Sequence, residues 1–587
     1  MMRSEEADGM HIDWDVPIEM DDGIVLGADV FRPIQPGRYP VIMTCGPYSK
    51  GLAFAEGYPA AWQALVTDHP EVVEGTSTRY ANWETADPER WVPDGYVVIR
   101  VDSRGTGVSP GFIDPFSSRE TKDYYDCIEW AGVQPWSNGK IGLLGVSYYA
   151  MNQWQVAALR PPHLAAICPF EGASDLYRDG VRHGGMLTTF WTSWYPLQVT
   201  NVQHGLGKNG RRSAVTGEPI TGDDELTPEE MSRNRIDIRA DQLAHPLFDD
   251  FFASRVPDLS QIEVPVLSCG NWGGQGLHLR GNTEGFLGAG SKQKWLEMHG
   301  LEHWTEFYTD YGLDLEKRFM GHFLKGEDNG WDRQPAVMLN VRKVDGFTHR
   351  TETEWPIAGT AWTKIHLDAR GGTLGGAVPK NNSDSTFTAT KEEVHFTTAA
   401  FEEETELTGP LAARLFVSSS TTDADLFLTL RLFSPDEKEI LFVGAVEPNA
   451  PVTQGWLRAS HRKLDTVRSV PWRPVHAHDE LQPVEPGQIY PLDIEIWPTS
   501  IVVPVGYRLQ LTVSGHDYDN GLPSPLPQLY GIEQRGSSVW QHKDPADTPA
   551  EVFAGSTTIY TGEDHDSWLL LPIISGAIPR PLDQIND

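Results

Sequence analysis

The residues with the clearest chemical potential form the run Gly145-Val146-Ser147-Tyr148-Tyr149-Ala150. It stands directly after the apolar run KIGLL and before a helical pattern. A serine on a tight strand-to-helix turn projects its Oγ from the sheet, and small neighbours let the backbone bend that sharply. Gly145 lies two residues before the serine, but Tyr149 stands two after it, so G-x-S-x-G is incomplete. The position between strand and helix carries the reading; an ordinary turn is the alternative. A serine hydroxyl needs a base. KWLEMHGLEHW supplies His299 and His303 after the last core strand, and His303, further into the loop, is the expected base. Gly300 interrupts this histidine pair and no third ligand is evident, so no metal is expected. A third group should orient the imidazole and stabilise its charge. The loop after VPVLSCG, Asn271-Trp272-Gly273-Gly274-Gln275-Gly276, has no carboxylate. Glu171, in Phe170-Glu171-Gly172, is the candidate that keeps the order serine, acid, histidine. Glu284, Glu302 and Asp175 are weaker alternatives. Attack on a carbonyl creates an oxyanion, which needs donors. The Tyr148 backbone N–H is one; the phenol of Tyr48, in Gly46-Pro47-Tyr48-Ser49-Lys50, is the candidate for the other, with an ordinary turn aromatic as the alternative.

The elements that must hold these residues read as buried strands alternating with helices. PVIMTCG (40–46), GYVVIRVDSRG (95–105), KIGLLGVS (140–147), HLAAICPF (163–170), VPVLSCG (264–270) and KWLEMHG (294–300) are the strand runs. Tyr124, Cys127, Ile128 and Ala131 share one face of a helix between about 120 and 134. Such alternation predicts a mostly parallel sheet covered on both faces. Between about Leu176 and Pro257 the strand signal disappears, and an aromatic cluster (Phe190, Trp191, Trp194, Tyr195) precedes polar and charged stretches, which reads as a helical lid. After about Pro335, short strands such as AVMLNVRKV, DLFLTLRLF and YRLQLTVSG alternate with turns, which reads as a β-sandwich or jelly roll. The expected architecture is therefore of the α/β class: an α/β-hydrolase core (1–175 and 260–335), an inserted helical cap (176–259) and a C-terminal all-β jelly-roll domain (336–587).

The formal charge of −35 disfavours nucleic acid and anionic membranes as partners. It bears on solubility more than on substrate. Cys45, Cys127, Cys168 and Cys269 show no C-x-x-C spacing, so a zinc site is not expected. MMRSEEADGM has no apolar core of a signal peptide and no run of 18 apolar residues occurs, which points to the cytoplasm.

Taken together, the chain resembles the CocE/NonD hydrolase family of esterases, α-amino acid ester hydrolases and X-Pro dipeptidyl-peptidases. The resemblance rests on PYSK (47–50), DSRGTGVSPG (102–111), GVSYYAMNQWQVAA (145–158), ASDLYRDG (173–180), HGLEHW (299–304), GWLRASHR (455–462) and IEIWPTSIVVPVGYRLQLTVSG (494–515). It implies the same three-part architecture and acyl-enzyme chemistry by a Ser-His-Asp triad. Ser147 matches the nucleophile, His303 the base, and Tyr48 and the Tyr148 N–H the oxyanion donors. Two departures stand out. Ala150 replaces the elbow's last glycine, and Gly274 stands where the family's G-W-x-D loop carries its Asp. The acid has then moved, with Glu171 its candidate, or the triad is incomplete.

The expected function is hydrolysis of a small ester, amide or short peptide through an acyl-enzyme on Ser147, with no cofactor. A homo-oligomer is compatible with this reading. One rival is an exopeptidase removing dipeptides after proline, which needs carboxylates for the free α-amino group; Asp223, Asp224 and Glu225 make the cap acidic. A rival of another class is a silent binding protein that uses its jelly roll.

Overall fold

The computed structural model describes residues 3–524 and 532–576. Its first half is built on an eleven-stranded sheet. Seven neighbouring strands run parallel, in the order Val97–Asp102, Tyr39–Gly46, Ser137–Val146, Leu164–Phe170, Val266–Asn271, Lys294–His299 and Val337–Lys343. Their side chains are almost all buried, the property that makes parallel strands read as unbroken apolar runs. Antiparallel strands extend both edges: Arg3–Ala7, Met10–Glu19 and Val25–Pro33 on one side, Gly346–Glu352 on the other. AVMLNVRKV has the texture of the later strands, yet it pairs in parallel with Lys294–His299 and so continues the first sheet.

Helices cover both faces. Ser118–Gly132 starts where the Ser117 hydroxyl accepts the Glu120 N–H, and it buries Tyr124, Cys127, Ile128 and Ala131. Tyr148–Ala158 is buried along nearly its whole length, with Trp154 fully enclosed. All four cysteines are buried free thiols.

The chain between Leu164–Phe170 and Val266–Asn271 leaves the sheet. It forms short helices at Phe190–Trp194, Pro228–Arg233, Ile238–Ala244 and Asp250–Ala253, and a small hairpin pairing Arg182–His183 with Met186–Leu187. The hairpin is too short to show as a strand pattern. The aromatic residues Phe190, Trp191, Trp194 and Tyr195 of this segment pack in one cluster with Tyr48, Tyr148 and Trp540.

The last third is all β. Its twelve-stranded sheet closes on itself, because the long strand Thr405–Ser419 pairs with both Tyr490–Val503 and Trp568–Ser575. Nine strands make the resulting barrel-like ring, filled by an apolar core from Ile365 to Ile573.

This domain is seated directly on the loops that follow the strands Val266–Asn271 and Lys294–His299. The Ala445 carbonyl accepts the His303 N–H at 2.8 Å, and the Ala445 N–H donates to the Gly273 carbonyl at 3.0 Å. A side chain at Gly273 would meet Gly444 Cα at 2.3 Å, so the approach requires glycine there.

Candidate active site

Ser147 stands between the strand Ser137–Val146 and the helix Tyr148–Ala158, with φ 57° and ψ −115°. A non-glycine residue held at positive φ is strained, and such strain gathers at functional sites. Ser49, Glu84, Glu171 and Leu301 also have positive φ, and all lie in the loops around this serine. The elbow is clamped by backbone bonds: the Ser147 N–H donates to the Phe170 and Glu171 carbonyls, both at 3.1 Å, and the Val146 N–H to the Glu84 carbonyl at 3.0 Å. Close packing explains the glycines. A Cβ on Gly145 would lie 2.6 Å from Tyr149 Cβ, and one on Gly172 would lie 2.5 Å from Ala150 Cβ. The space an elbow glycine would leave at position 150 is thus left by Gly172 on the facing segment.

Glu171 ends the neighbouring strand and is fully buried. Its Oε2 lies 2.8 Å from His303 Nδ1, and its Oε1 lies 3.1 Å from His299 Nε2. The Asn271 carboxamide donates to the same Oε1 at 3.1 Å, while its own oxygen accepts the Gly273 N–H. The loop that lacks a carboxylate therefore contributes an amide that braces one. Burial alone would push the Glu171 carboxyl up, but the two histidines override it and hold it well below the usual range. His299 is tied on its other side to Glu297, at 2.7 Å. Burial pulls its pKa down, yet the two carboxylates lift it to about 10.

His303 has a carboxylate on each ring nitrogen, for Nε2 lies 3.0 Å from Glu84 Oε1. Burial opposes the charge, but Glu171 and Glu84 outweigh it and raise the imidazole to about 10. Glu84 is raised to about 7, because its own burial exceeds the help from His303.

The hydrogen bond of Ser147 Oγ goes to a different histidine. His278 Nε2 lies 3.1 Å from it, and the His278 ring stacks on that of His303 at 5.3 Å and 11°. His278 follows the loop Asn271–Gly276, which holds no carboxylate; its place beyond the core strand Val266–Asn271 is the sequence signal that marks it. Glu84 comes from the loop before Val97–Asp102, and nothing local in Asn82-Trp83-Glu84-Thr85 marks it.

Tyr48 is buried beside the serine, edge-on to Tyr148 and Tyr149, and its hydroxyl accepts the Trp194 indole N–H at 3.1 Å. The Tyr148 phenol turns away to Glu120, at 2.6 Å, leaving its backbone at the elbow. The other acidic candidates are engaged elsewhere: Glu284 with Arg473 and Asp175 with Arg178, while Glu302 accepts the Thr305 hydroxyl.

Ser147, His278, His303, Glu84 and Tyr48 line one pocket. Its remaining wall is largely apolar, with Phe116, Met151, Phe190, Trp191, Trp194 and Leu277 from the hydrolase core and cap. Ala445, Val446 and Trp540 of the β domain close it.

Comparison with known proteins agrees with this layout. Residues 22–305 match the family described as X-Pro dipeptidyl-peptidase (S15 family), and residues 329–570 match the X-Pro dipeptidyl-peptidase C-terminal non-catalytic domain. A CocE/NonD family hydrolase from Staphylococcus aureus superposes with a TM-score of 0.81 at 33% identity, covering 96% of this chain and 94% of that one. Cocaine esterase from Rhodococcus sp. (strain MB1 Bresler) is 25% identical over 95% of this chain and 98% of its own. An α-amino acid ester hydrolase shares the fold, with a TM-score of 0.65 at 14% identity over 97% of this chain and 98% of that one. Fold and relatives define a serine hydrolase. The chain belongs to the CocE/NonD family of hydrolases. Among the described residues, no helix is long and apolar enough to cross a membrane.

Proposed function

We propose that this protein hydrolyses carboxylic esters or amides of small, apolar acyl groups, with Ser147 as nucleophile, His303 as base and Glu171 as the acid that orients it. Ser147 attacks the carbonyl as His303 Nε2 takes its proton. The Tyr148 N–H and the Tyr48 hydroxyl donate to the oxyanion, and the protonated His303 then delivers its proton to the leaving alcohol or amine. Water repeats the sequence to free the acid. The reactive form is the one in which the His303–Glu84 pair has given up the proton held between Nε2 and Oε1.

One observation carries this reading. The strained Ser147 opens into the same pocket as a histidine whose Nδ1 lies 2.8 Å from a buried carboxylate. Esters and amides are favoured over dipeptides because Asp223, Asp224 and Glu225 are exposed and do not line the pocket. Glu84 does line it, but it is engaged by His303. The four unpaired thiols fit a reducing compartment, the cytoplasm.

The test is labelling by a fluorophosphonate probe together with hydrolysis of short-chain p-nitrophenyl esters and of a dipeptide anilide. Wild type should label and cleave the ester faster than the anilide, and Ser147→Ala should do neither. A folded wild type that does not label would favour the binding-protein reading. Preference for the X-Pro anilide would favour the exopeptidase.

A further inference from the structure

The second histidine at the serine is unexplained by a serine, a base and an acid. His278 is 2% exposed, and its Nε2 touches Ser147 Oγ. Its other ring nitrogen decides what it can do there. The Ala173 backbone N–H points at His278 Nδ1 across 3.2 Å. A backbone amide only donates, so Nδ1 must accept, and a neutral imidazole then carries its proton on Nε2.

The surrounding packing enforces this arrangement. His278 immediately precedes the helix Leu279–Gly288. Gly281 brings that helix against the Ala173–Ser174 backbone; a Cβ there would lie 2.4 Å from Ala173 Cα. Asn282, one turn along from His278, accepts the Gly172 N–H at 3.0 Å and donates to the Pro169 carbonyl at 3.1 Å. The amide facing Nδ1 is thus held by two further bonds and a close contact. His278 has no carboxylate on either nitrogen, and the raised charge on stacked His303 opposes a second imidazolium beside it.

Resting on the reading of Ser147 as nucleophile, we propose that His278 acts in catalysis as a neutral hydrogen-bond donor to Ser147 Oγ, and not as a second base. Its effect falls where Oγ gains negative charge, above all in breakdown of the acyl-enzyme. Water adds to the acyl carbon and loses a proton to His303 Nε2. The C–Oγ bond then breaks, its electron pair stays on Oγ, and Oγ takes the proton back from His303. His278 keeps its own Nε2 proton throughout and stabilises the departing oxygen.

Nitrogen NMR of 15N-histidine-labelled protein, assigned with His278→Gln, should find Nε2 protonated and Nδ1 bare at neutral pH. Burst kinetics on p-nitrophenyl acetate give the second readout. His278→Ala should keep the burst of p-nitrophenol and fluorophosphonate labelling while deacylation slows about 10²-fold, the scale of one lost donor. His278→Gln should recover most of that loss, since its amide donates but is not basic. A proton found on Nδ1, an unchanged deacylation rate in His278→Ala, or a glutamine variant that loses both burst and labelling would overturn the inference. Wild type that neither labels nor gives a burst would remove the nucleophile reading, and this inference with it; the NMR result separates the two failures.

Discussion

His303 Nδ1 lies 2.8 Å from Glu171 Oε2, although Glu171 ends a strand two positions across the sheet from the one that leads into His303. The carboxylate reaches the imidazole from the strand beside the one that leads into Ser147. The loop where the family carries its acid is instead the tight turn Asn271–Gly274, which accommodates the β domain through Gly273.

If Glu171 holds the imidazole tautomer, Glu171→Gln should lower kcat by about 10⁴-fold, as loss of a triad acid does elsewhere. The variant should keep its fold, which circular dichroism and a thermal melt would check. A glutamine variant at full rate would move the acid's role away from position 171.

The two carboxylates on His303 set the pH dependence. Both favour the imidazolium, so its pKa rises to about 10, and a base is useful only after that proton is lost. The kcat/KM of wild type should therefore climb from neutral into alkaline pH. Glu84→Gln removes one of the two negative charges, and its rising limb should move to lower pH. A limb that stays in place would mean that Glu84 does not govern the base. The same sign governs stability. The contribution of charged His303 is complete below its ordinary value near 6.5 and is lost as pH rises through about 10.

Removing the phenol hydroxyl in Tyr48→Phe should reduce kcat by about 10²–10³-fold with little change in melting temperature, as expected for one oxyanion donor. An equal loss of kcat and thermal stability would assign Tyr48 to packing with Trp194 instead.

The pairing of Ala150 with Gly172 makes a compensation test. Gly172→Ala places a methyl 2.5 Å from Ala150 Cβ. It should destabilise the protein by about 1–3 kcal/mol, the usual cost of overpacking a close contact. Adding Ala150→Gly should restore part of that loss, measured by denaturant unfolding. Additive destabilisation in the double variant would refute the coupling.

The parallel strands and the helix Ser118–Gly132 were legible in the sequence because burial on both sheet faces and helical periodicity are local patterns. The elbow was legible for the same reason: Gly145 and Ser147 sit at the junction of two such patterns. AVMLNVRKV was not assigned to its sheet, since a short apolar run does not say which neighbour it pairs with.

The sequence by itself determined the serine hydrolase class, the strand–turn–helix that carries Ser147 and the absence of a carboxylate in Asn271–Gly276. Tertiary structure alone decided which histidine meets which partner. Glu171, His303, Glu84 and His278 lie 84 to 303 residues along the chain and meet only through sheet order and loop return. That Ser147 touches His278, and that His278 Nδ1 faces an amide proton, depends on a glycine contact between a helix and a loop. No pattern of neighbours along the chain encodes such a meeting, because it arises from packing between segments more than 100 residues apart.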